Sequence, residues 1–203
     1  MPNHCNNTLT VNGSSPRIRD FARDHYRVPD SWANSVCSPP SSPSTREHKT
    51  TLDFSYAVPY PPLHERVDLS QGWYDWHVDN WGTKWNAYDI TPLTFPEILD
   101  EIEQGESLTY SFDTAWAPPM GWLETMSPKY PNLTFTLTYE EPGMCFAGYC
   151  KSKDGKILAE EHLSDYHDAL LSPEEQKLLE SDEEDGWEIL RAKLDKFFQE
   201  IPD

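Results

Sequence analysis

The chain has 203 residues and a formal net charge of −19, from 35 acidic and 16 basic side chains. That charge repels phosphate backbones and anionic membrane surfaces, so it disfavours direct binding to nucleic acid or to a membrane. It favours a partner with a basic surface, such as a protein that normally binds DNA, although solubility alone also explains many acidic chains. Hydrophobic residues make up only 37% of the chain, but the 13% of aromatic residues bury enough area for a compact core.

The cysteines and the N-terminus predict a cytoplasmic protein with reduced thiols. The four cysteines form no CxxC pair and no zinc-ligand spacing, so neither a metal nor a cofactor is expected. Cys145 and Cys150 are an odd number of positions apart on one predicted strand, which places them on opposite faces and argues against a disulfide. The N-terminus lacks a signal-peptide pattern, and no apolar run approaches the ~20 residues of a membrane span.

The first part of the chain predicts two strands, a helix and a loop. "NTLTVNG" alternates apolar and polar residues and predicts a strand over 7–12. "SSPRIRDFARDH" predicts a helix over 16–25, because a proline at the first helical position loses no hydrogen bond. Serine and proline dominate residues 34–50, which predicts a mobile surface loop. "TLDFSYAV" alternates again and predicts a strand over 51–58.

The middle of the chain predicts helices and strands in alternation. Thr94 and Glu97 have the spacing of a capping box at the start of a helix, and Gly105 marks its end. The elements predicted next are a strand over 107–113, a helix over 119–127, and a hairpin of strands over 133–139 and 144–151. Together these elements predict an α+β domain over 1–159, with a mostly antiparallel sheet and helices on one face.

Residues 160–203 predict an acidic helical C-terminal extension that carries −11 of the net charge. Ser172 and Glu175 have capping-box spacing. A stripe at helical spacing must bury against the domain or in the groove of a partner; its members are Trp187, Leu190, Leu194, Phe197 and Ile201. The densest carboxylates form a candidate acidic partner surface, which consists of Glu180, Asp182, Glu183, Glu184 and Asp185.

Four segments in order resemble the YubB-like proteins of phages, prophages and plasmids. They are "MPNHCNNTLTVNG", "NWGTKWNAYD", "FDTAWAPP" and "YPNLTFTLTYEEPGMCFAG", which lie within residues 1–155. The resemblance implies a ferredoxin-like domain and an accessory protein of a mobile element. It supplies no catalytic residue, and His4 stands where the resemblance leads us to expect tryptophan.

The tryptophan-rich stretch "WHVDNWGTKWNAYD" is open to two interpretations. In the first, Trp81, Trp85 and Trp116 wall a pocket for a flat or cationic ligand that Lys84 or Asp113 orients. In the second, which we favour, the tryptophans are core anchors and Lys84 lies along an aromatic ring. Gly82 permits a tight turn here, and the turn would present the Thr83 hydroxyl and the Lys84 ammonium at its tip.

Three other pairs of polar residues are interpreted as structural: His77 with Asp79, Glu140 with Glu141, and His162 with His167. The leading hypothesis is therefore a non-catalytic accessory protein that binds a host protein. Its carboxylates would act as phosphate surrogates toward a DNA-binding or defence protein, as in a DNA mimic or anti-defence inhibitor. The alternative is a small-molecule or nucleotide binder that uses the aromatic stretch, and an enzyme ranks last.

Overall fold

The computed structural model describes residues 3–27, 50–62, 72–105, 107–181 and 184–202. Within them lies an antiparallel sheet with the strand order β2-β3-β1-β4-β5-β6. The strands are β1 (His4–Asn12), β2 (Tyr88–Thr91), β3 (Ser107–Ala115), β4 (Thr134–Glu141), β5 (Phe146–Lys153) and β6 (Lys156–Leu163). This architecture confirms the α+β class and the predicted mostly antiparallel sheet.

The register of the sheet follows the alternation seen in the sequence. β1 pairs with β3 on one side and with β4 on the other, so that Leu9 lies between Tyr110 and Leu137. Phe135 and Leu137 are both buried on the same face of β4, while Thr136 between them is partly exposed on the other. Because side chains alternate between faces with a period of two, one face of the sheet is apolar and the opposite face is rich in hydroxyl groups.

Helices cover the apolar face, which we call the first face. They are α1 (Ser15–His25), α2 (Phe54–Ala57), α3 (Trp73–Trp81), α4 (Phe95–Gln104) and α5 (Met120–Met126). The capping box predicted for α4 is present, with Thr94 and Glu97 bonded to each other's backbone. At the centre of this core the buried ring of Trp122 stacks on Phe54 at 4.6 Å between centroids.

The strand predicted over 51–58 is wrong, because this segment forms the short helix α2. Asp53 starts the helix by accepting a hydrogen bond from the Ser55 backbone N–H at 3.0 Å. The Phe54 N–H donates to Asn86 Oδ1 at 2.9 Å, so a side chain far along the chain replaces the strand partner. An aspartate cap and a distant amide thus override the local alternation.

In the described sheet and the helices on its first face, three elements were not predicted. The helix α3 and the strand β2 lie on either side of the predicted turn at Gly82, which is left-handed with φ 83°. The edge strand β6 crosses the predicted boundary at 159/160 and extends the sheet into the acidic region. Its side chains are largely exposed on both faces, and a strand without a buried face has no alternation to reveal it.

The C-terminal helices lie against the second face of the sheet, not beside the other helices. They are α6 (Tyr166–Leu170), α7 (Pro173–Glu180) and α8 (Glu184–Gln199). Leu190 and Leu194 pack with Ala147 of β5 in a second apolar cluster. Of the predicted stripe, Trp187 is an exception, since 51% of it is exposed. The extension is therefore docked on the domain over part of the second face.

The loop predicted over 34–50 lies outside the described residues, apart from Thr50 at its end. In the part of the chain that the structure describes, no helix has the length and apolar character needed to cross a bilayer.

Candidate functional site

The tryptophan-rich stretch divides into a buried half and an exposed half. Trp81 is 3% exposed, and its indole N–H donates to the Val58 carbonyl at 2.8 Å. The His77 ring stacks on it at 3.9 Å, and burial lowers the pKa of this histidine. Trp81 is therefore a core anchor, as the favoured interpretation has it.

The loop that follows Trp81 is fixed to the sheet by side-chain hydrogen bonds. The Thr83 hydroxyl donates to the Ala115 carbonyl at 2.9 Å and is buried, so it is not presented at the tip of the turn as predicted. His77 Nδ1 lies 3.0 Å from the Lys84 carbonyl, which can only accept the hydrogen bond. At the end of the loop, Asn86 donates to Asp53 at 2.7 Å. These contacts hold the backbone of 82–87 in one conformation.

Two glycines bring this loop against the start of α5. A Cβ atom at Gly82 would lie 3.1 Å from the Met120 backbone nitrogen and 3.1 Å from the Pro118 carbonyl oxygen. A Cβ atom at Gly121 would lie 2.9 Å from the Asn80 carbonyl oxygen. Because no side chain fits at either position, the backbones approach closely, and the segment after β3 lies next to the loop that carries Lys84.

Lys84 lies among three aromatic rings at the surface, and we call this group the aromatic cluster. Its ammonium nitrogen is 4.6 Å from the centroid of Trp116, 5.2 Å from Trp85 and 5.7 Å from Tyr74. Trp116 is 42% exposed and Tyr74 38% exposed. The rings are thus within the distance at which an aromatic face attracts a cation. Tyr74 was not predicted, because only the packing of α3 brings it to Lys84.

Trp116 has an unusual backbone for a bulky residue. Its φ of 72° lies in the left-handed region, and its N–H donates to the Asn3 carbonyl at 3.0 Å. A side chain with a Cβ atom loses roughly 1–2 kcal/mol in this region relative to ordinary backbone conformations. An exposed tryptophan gains little burial in return, and such strain in a folded protein is concentrated at functional sites.

Asp113 belongs to a neighbouring polar group instead of the aromatic cluster. It accepts a hydrogen bond from Asn6 Nδ2 at 2.8 Å, and its other oxygen lies 3.6 Å from His4 Nδ1. The Tyr88 hydroxyl is 2.8 Å from the same His4 nitrogen. Trp85 contacts Tyr88 edge to face at 6.0 Å and so connects the two groups. His4, the departure from the resemblance, is therefore part of a surface network.

Of the predicted acidic partner surface, Glu180 and Asp185 are exposed at the ends of α7 and α8. Asp182 and Glu183 lie outside the described residues, and so does the side chain of Glu184. Two further carboxylates, Asp113 and Glu140, lie on the second face, where both pair across Asn6 in the register of the sheet.

The other polar pairs have structural roles. Glu141 is buried and accepts hydrogen bonds from the backbone N–H groups of Gly143 and Met144 in the β4–β5 turn. Glu140 lies on the other face and pairs with Arg191 at 3.0 Å, which confirms that these adjacent carboxylates point apart. His162 lies 3.0 Å from the Tyr139 hydroxyl.

Two of the described cysteines are buried, and burial governs the ionisation of their thiols. Burial raises the pKa of Cys5 to about 12 and that of Cys150 to about 11, so neither thiol ionises near neutral pH. Cys145 packs with the second apolar cluster and Cys150 with the main core on the first face, and both thiols are free. Within the described ranges, no three side chains of the His, Cys, Asp or Glu type are grouped to hold a metal ion.

Two comparisons with known proteins give a match. The family model of the ferredoxin-like domain in Api92-like proteins matches residues 80–184, which is just over half of the chain. A crystal structure of the protein Api92 from Yersinia pseudotuberculosis aligns with 80% of this chain and 98% of its own, at 11% identity and a TM-score of 0.49. No curated protein matches the chain.

Proposed function

The chain belongs to the family of Api92-like proteins with a ferredoxin-like domain, and we propose that it is a non-catalytic accessory protein of a phage or plasmid that binds a host protein. The resemblance to YubB-like proteins supports this setting. The protein acts in the host cytoplasm, as an inhibitor or anti-defence factor. Its partner has a basic surface of the kind that binds DNA.

The observation that carries the proposal is Trp116, a large exposed ring on a strained backbone. Tryptophan and tyrosine are enriched among the few residues that supply most of the binding energy at protein interfaces. The hydrogen bonds of Thr83 and Asn86 fix the neighbouring loop before any partner binds, and a rigid surface loses less entropy on binding. The aromatic cluster therefore has the composition and the rigidity of an interface centre.

The charge distribution supports a basic partner. The net charge of −19 steers cationic surfaces toward the molecule and repels nucleic acid. Exposed Glu180 and Asp185 lie in the most acidic region, and exposed Trp187 lies two positions further along α8. Carboxylates at a surface act as phosphate surrogates toward a protein that binds DNA, which is the basis for an inhibitory role.

The test is affinity capture from host lysate at low and at high salt, followed by mass spectrometry and by binding measurements with the purified partner. We expect one basic protein to be captured, with weaker capture at high salt because screening removes the electrostatic attraction. Trp116→Ala should weaken the purified interaction by a factor of about 30, which corresponds to the loss of an interface hot spot. Glu180→Gln combined with Asp185→Asn should reduce the salt dependence of partner binding.

Leu93→Ala is the matched control, since Leu93 is 66% exposed and lies outside the aromatic cluster. It should leave capture unchanged. Equal recovery of every host protein by the native chain and by Trp116→Ala would contradict the proposal. A small molecule that co-elutes with the native chain and is lost from Trp116→Ala would instead favour the small-molecule alternative.

A further inference from the structure

The aromatic cluster has the geometry of a cation cage whose occupant is the protein's own lysine. Three rings lie within 6 Å of the Lys84 ammonium, which is the range of significant cation–π attraction. Cages of this kind recognise ammonium groups of ligands in other proteins. Here the rings come from three separate places in the chain: α3, the loop before β2, and the residue that follows β3.

Within the described part of the chain, the contacts of the Lys84 ammonium are with the three rings. Among the described residues, no carboxylate lies within ion-pair distance of its ammonium, although 35 acidic residues occur in the chain. Lys193, by contrast, is fixed at 2.6 Å to Glu175. Without a carboxylate to anchor it, the lysine side chain can leave the rings at low cost and regain its rotamer freedom.

The cage does not depend on the side chain of Lys84 for its shape. The backbone on either side is fixed by the Thr83 hydroxyl and by Asn86, and the Lys84 carbonyl is held by His77. The backbone of Trp116 is fixed by its main-chain N–H, which donates to the Asn3 carbonyl. The rings also contact one another and their neighbours edge to face, Tyr74 with Trp116 at 6.1 Å and Trp85 with Tyr88 at 6.0 Å. These contacts do not involve the Lys84 ammonium, so they remain when it leaves.

We propose that the aromatic cluster binds an arginine or lysine side chain of the partner in place of Lys84, which occupies the cage in the free protein as an internal competitor. This inference rests on the proposed function and names the chemistry that the partner must present. The charge of the molecule favours this occupant, because a chain at −19 attracts cations and repels anions. The ring faces likewise carry the negative side of the aromatic quadrupole.

Choline is a suitable probe, with its uncharged carbon analogue 3,3-dimethyl-1-butanol as the control ligand. Titration is followed by the NMR shifts of the indole N–H groups of Trp85 and Trp116. We expect Lys84→Ala to bind choline roughly three- to tenfold more tightly than the native chain, because the competitor is gone. The carbon analogue should bind neither protein measurably. Adding Trp116→Ala to Lys84→Ala should abolish choline binding.

Equal or weaker choline binding by Lys84→Ala would overturn the proposal, and so would equal binding of the uncharged analogue, which would indicate a simple apolar patch. Lys129→Ala is the matched control: Lys129 bonds to the Ala57 carbonyl, away from the cage, and its loss should leave choline affinity unchanged. The assay needs no host protein. Choline binding without host capture would refute the proposed function but support the cage. Host capture without choline binding would refute the cage but support the proposed function.

Discussion

Trp81 and Trp85 lie four positions apart in the sequence but have different physical roles. Trp81 ends α3 on the side that faces the core, where its N–H has a carbonyl partner. Trp85 comes after the left-handed turn at Gly82 and lies at the surface beside Lys84. The residue type is the same on both sides of the turn, so the path of the backbone through the turn decides which ring is buried.

The strain at Trp116 predicts that glycine at this position gives a more stable protein than alanine, which reverses their usual order of stability. Glycine adopts a φ of 72° without penalty, whereas alanine keeps the strain of the native residue. Trp116→Gly should therefore be more stable than Trp116→Ala by about 1 kcal/mol. Urea unfolding of both variants measures the difference. Greater stability of Trp116→Ala would show that this backbone is not strained in solution.

His25 predicts a loss of stability in mild acid. Burial lowers its pKa from 6.5 to about 4, and its buried Nε2 has no hydrogen-bond partner among the residues that the structure describes. Below pH 6.5 the unfolded chain binds a proton at this site that the folded chain does not bind. Stability should therefore fall as the pH drops from about 6.5 to about 4, by roughly 3 kcal/mol from this residue.

Denaturant unfolding across that pH range checks the prediction, with His25→Leu as the comparison. The leucine variant loses the hydrogen bond to the Phe21 carbonyl but has no group to protonate. Its free energy of unfolding should change less between the two pH values than that of the native chain. Parallel curves for the two proteins would show that His25 does not control the acid response.

Part of the candidate site could be predicted from residues alone. Gly82 indicated a turn, and Lys84 with its neighbouring tryptophan indicated a cation–aromatic contact. Tyr74 gave no signal, because it comes ten positions before Lys84 on a helix that was not predicted. Asp113 was grouped with the tryptophans by proximity along the chain, but the register of β1 and β3 places it with Asn6.

At the scale of elements, prediction succeeded where one face of a segment is buried and failed where burial has another pattern. β4 alternates strictly and was predicted almost to its ends. α2 has only four residues and depends on Asp53 and Asn86, so its alternation was misleading. β6 has no buried face at all. Periodicity reports burial, and it identifies secondary structure only where burial and structure coincide.

The docking of α8 predicts that Leu194 stabilises the whole domain. Leu194 is 1% exposed in the cluster that joins the C-terminal helices to β5. Leu194→Ala should lower the free energy of unfolding by about 2–5 kcal/mol, because a buried leucine leaves a cavity. Leu158→Ala is the control, since Leu158 is 53% exposed on β6 and its loss should change stability by less than ~0.5 kcal/mol.

Circular dichroism melts compare the stability of Leu194→Ala with that of Leu158→Ala. They also show whether the domain depends on the docked extension. A stable Leu194→Ala would mean that the C-terminal helices dissociate from the sheet without affecting it. Deletion of residues 172–203 should also expose Ala147 and Tyr149, which the structure buries. Loss of partner binding on deletion is therefore interpretable only when the truncated domain is shown to remain folded.

At the scale of the molecule, the two faces of the sheet differ in composition and in the helices that cover them. The first face carries the main core beneath α1 to α5. The second face carries hydroxyl groups and the carboxylates of Asp113 and Glu140, and α6 to α8 cover part of it. The aromatic cluster lies where β3 ends, next to the polar group of His4 and Tyr88. We therefore expect a partner bound at the cluster to meet the Asp113 carboxylate beside it.

The net charge predicts opposite effects of salt on folding and on partner binding. Nineteen excess negative charges repel one another in the compact state, and salt screens this repulsion over a length of about 10 Å at 0.1 M. Stability should therefore rise with added sodium chloride, while capture of a basic partner weakens. Exposed ion pairs such as Arg23 with Asp20 oppose the first trend, but pairs of this kind contribute only ~0–1 kcal/mol.

The combined variant Glu180→Gln with Asp185→Asn separates the two effects, because both side chains are exposed and their removal costs no burial. It should be more stable than the native chain at low salt, and its stability should rise less as salt is added. Urea unfolding at several salt concentrations gives the stability at low salt and its change as salt is added. If added salt destabilises the native chain, self-repulsion is not the dominant electrostatic force, and the acidic surface must then be held together by ion pairs that screening weakens.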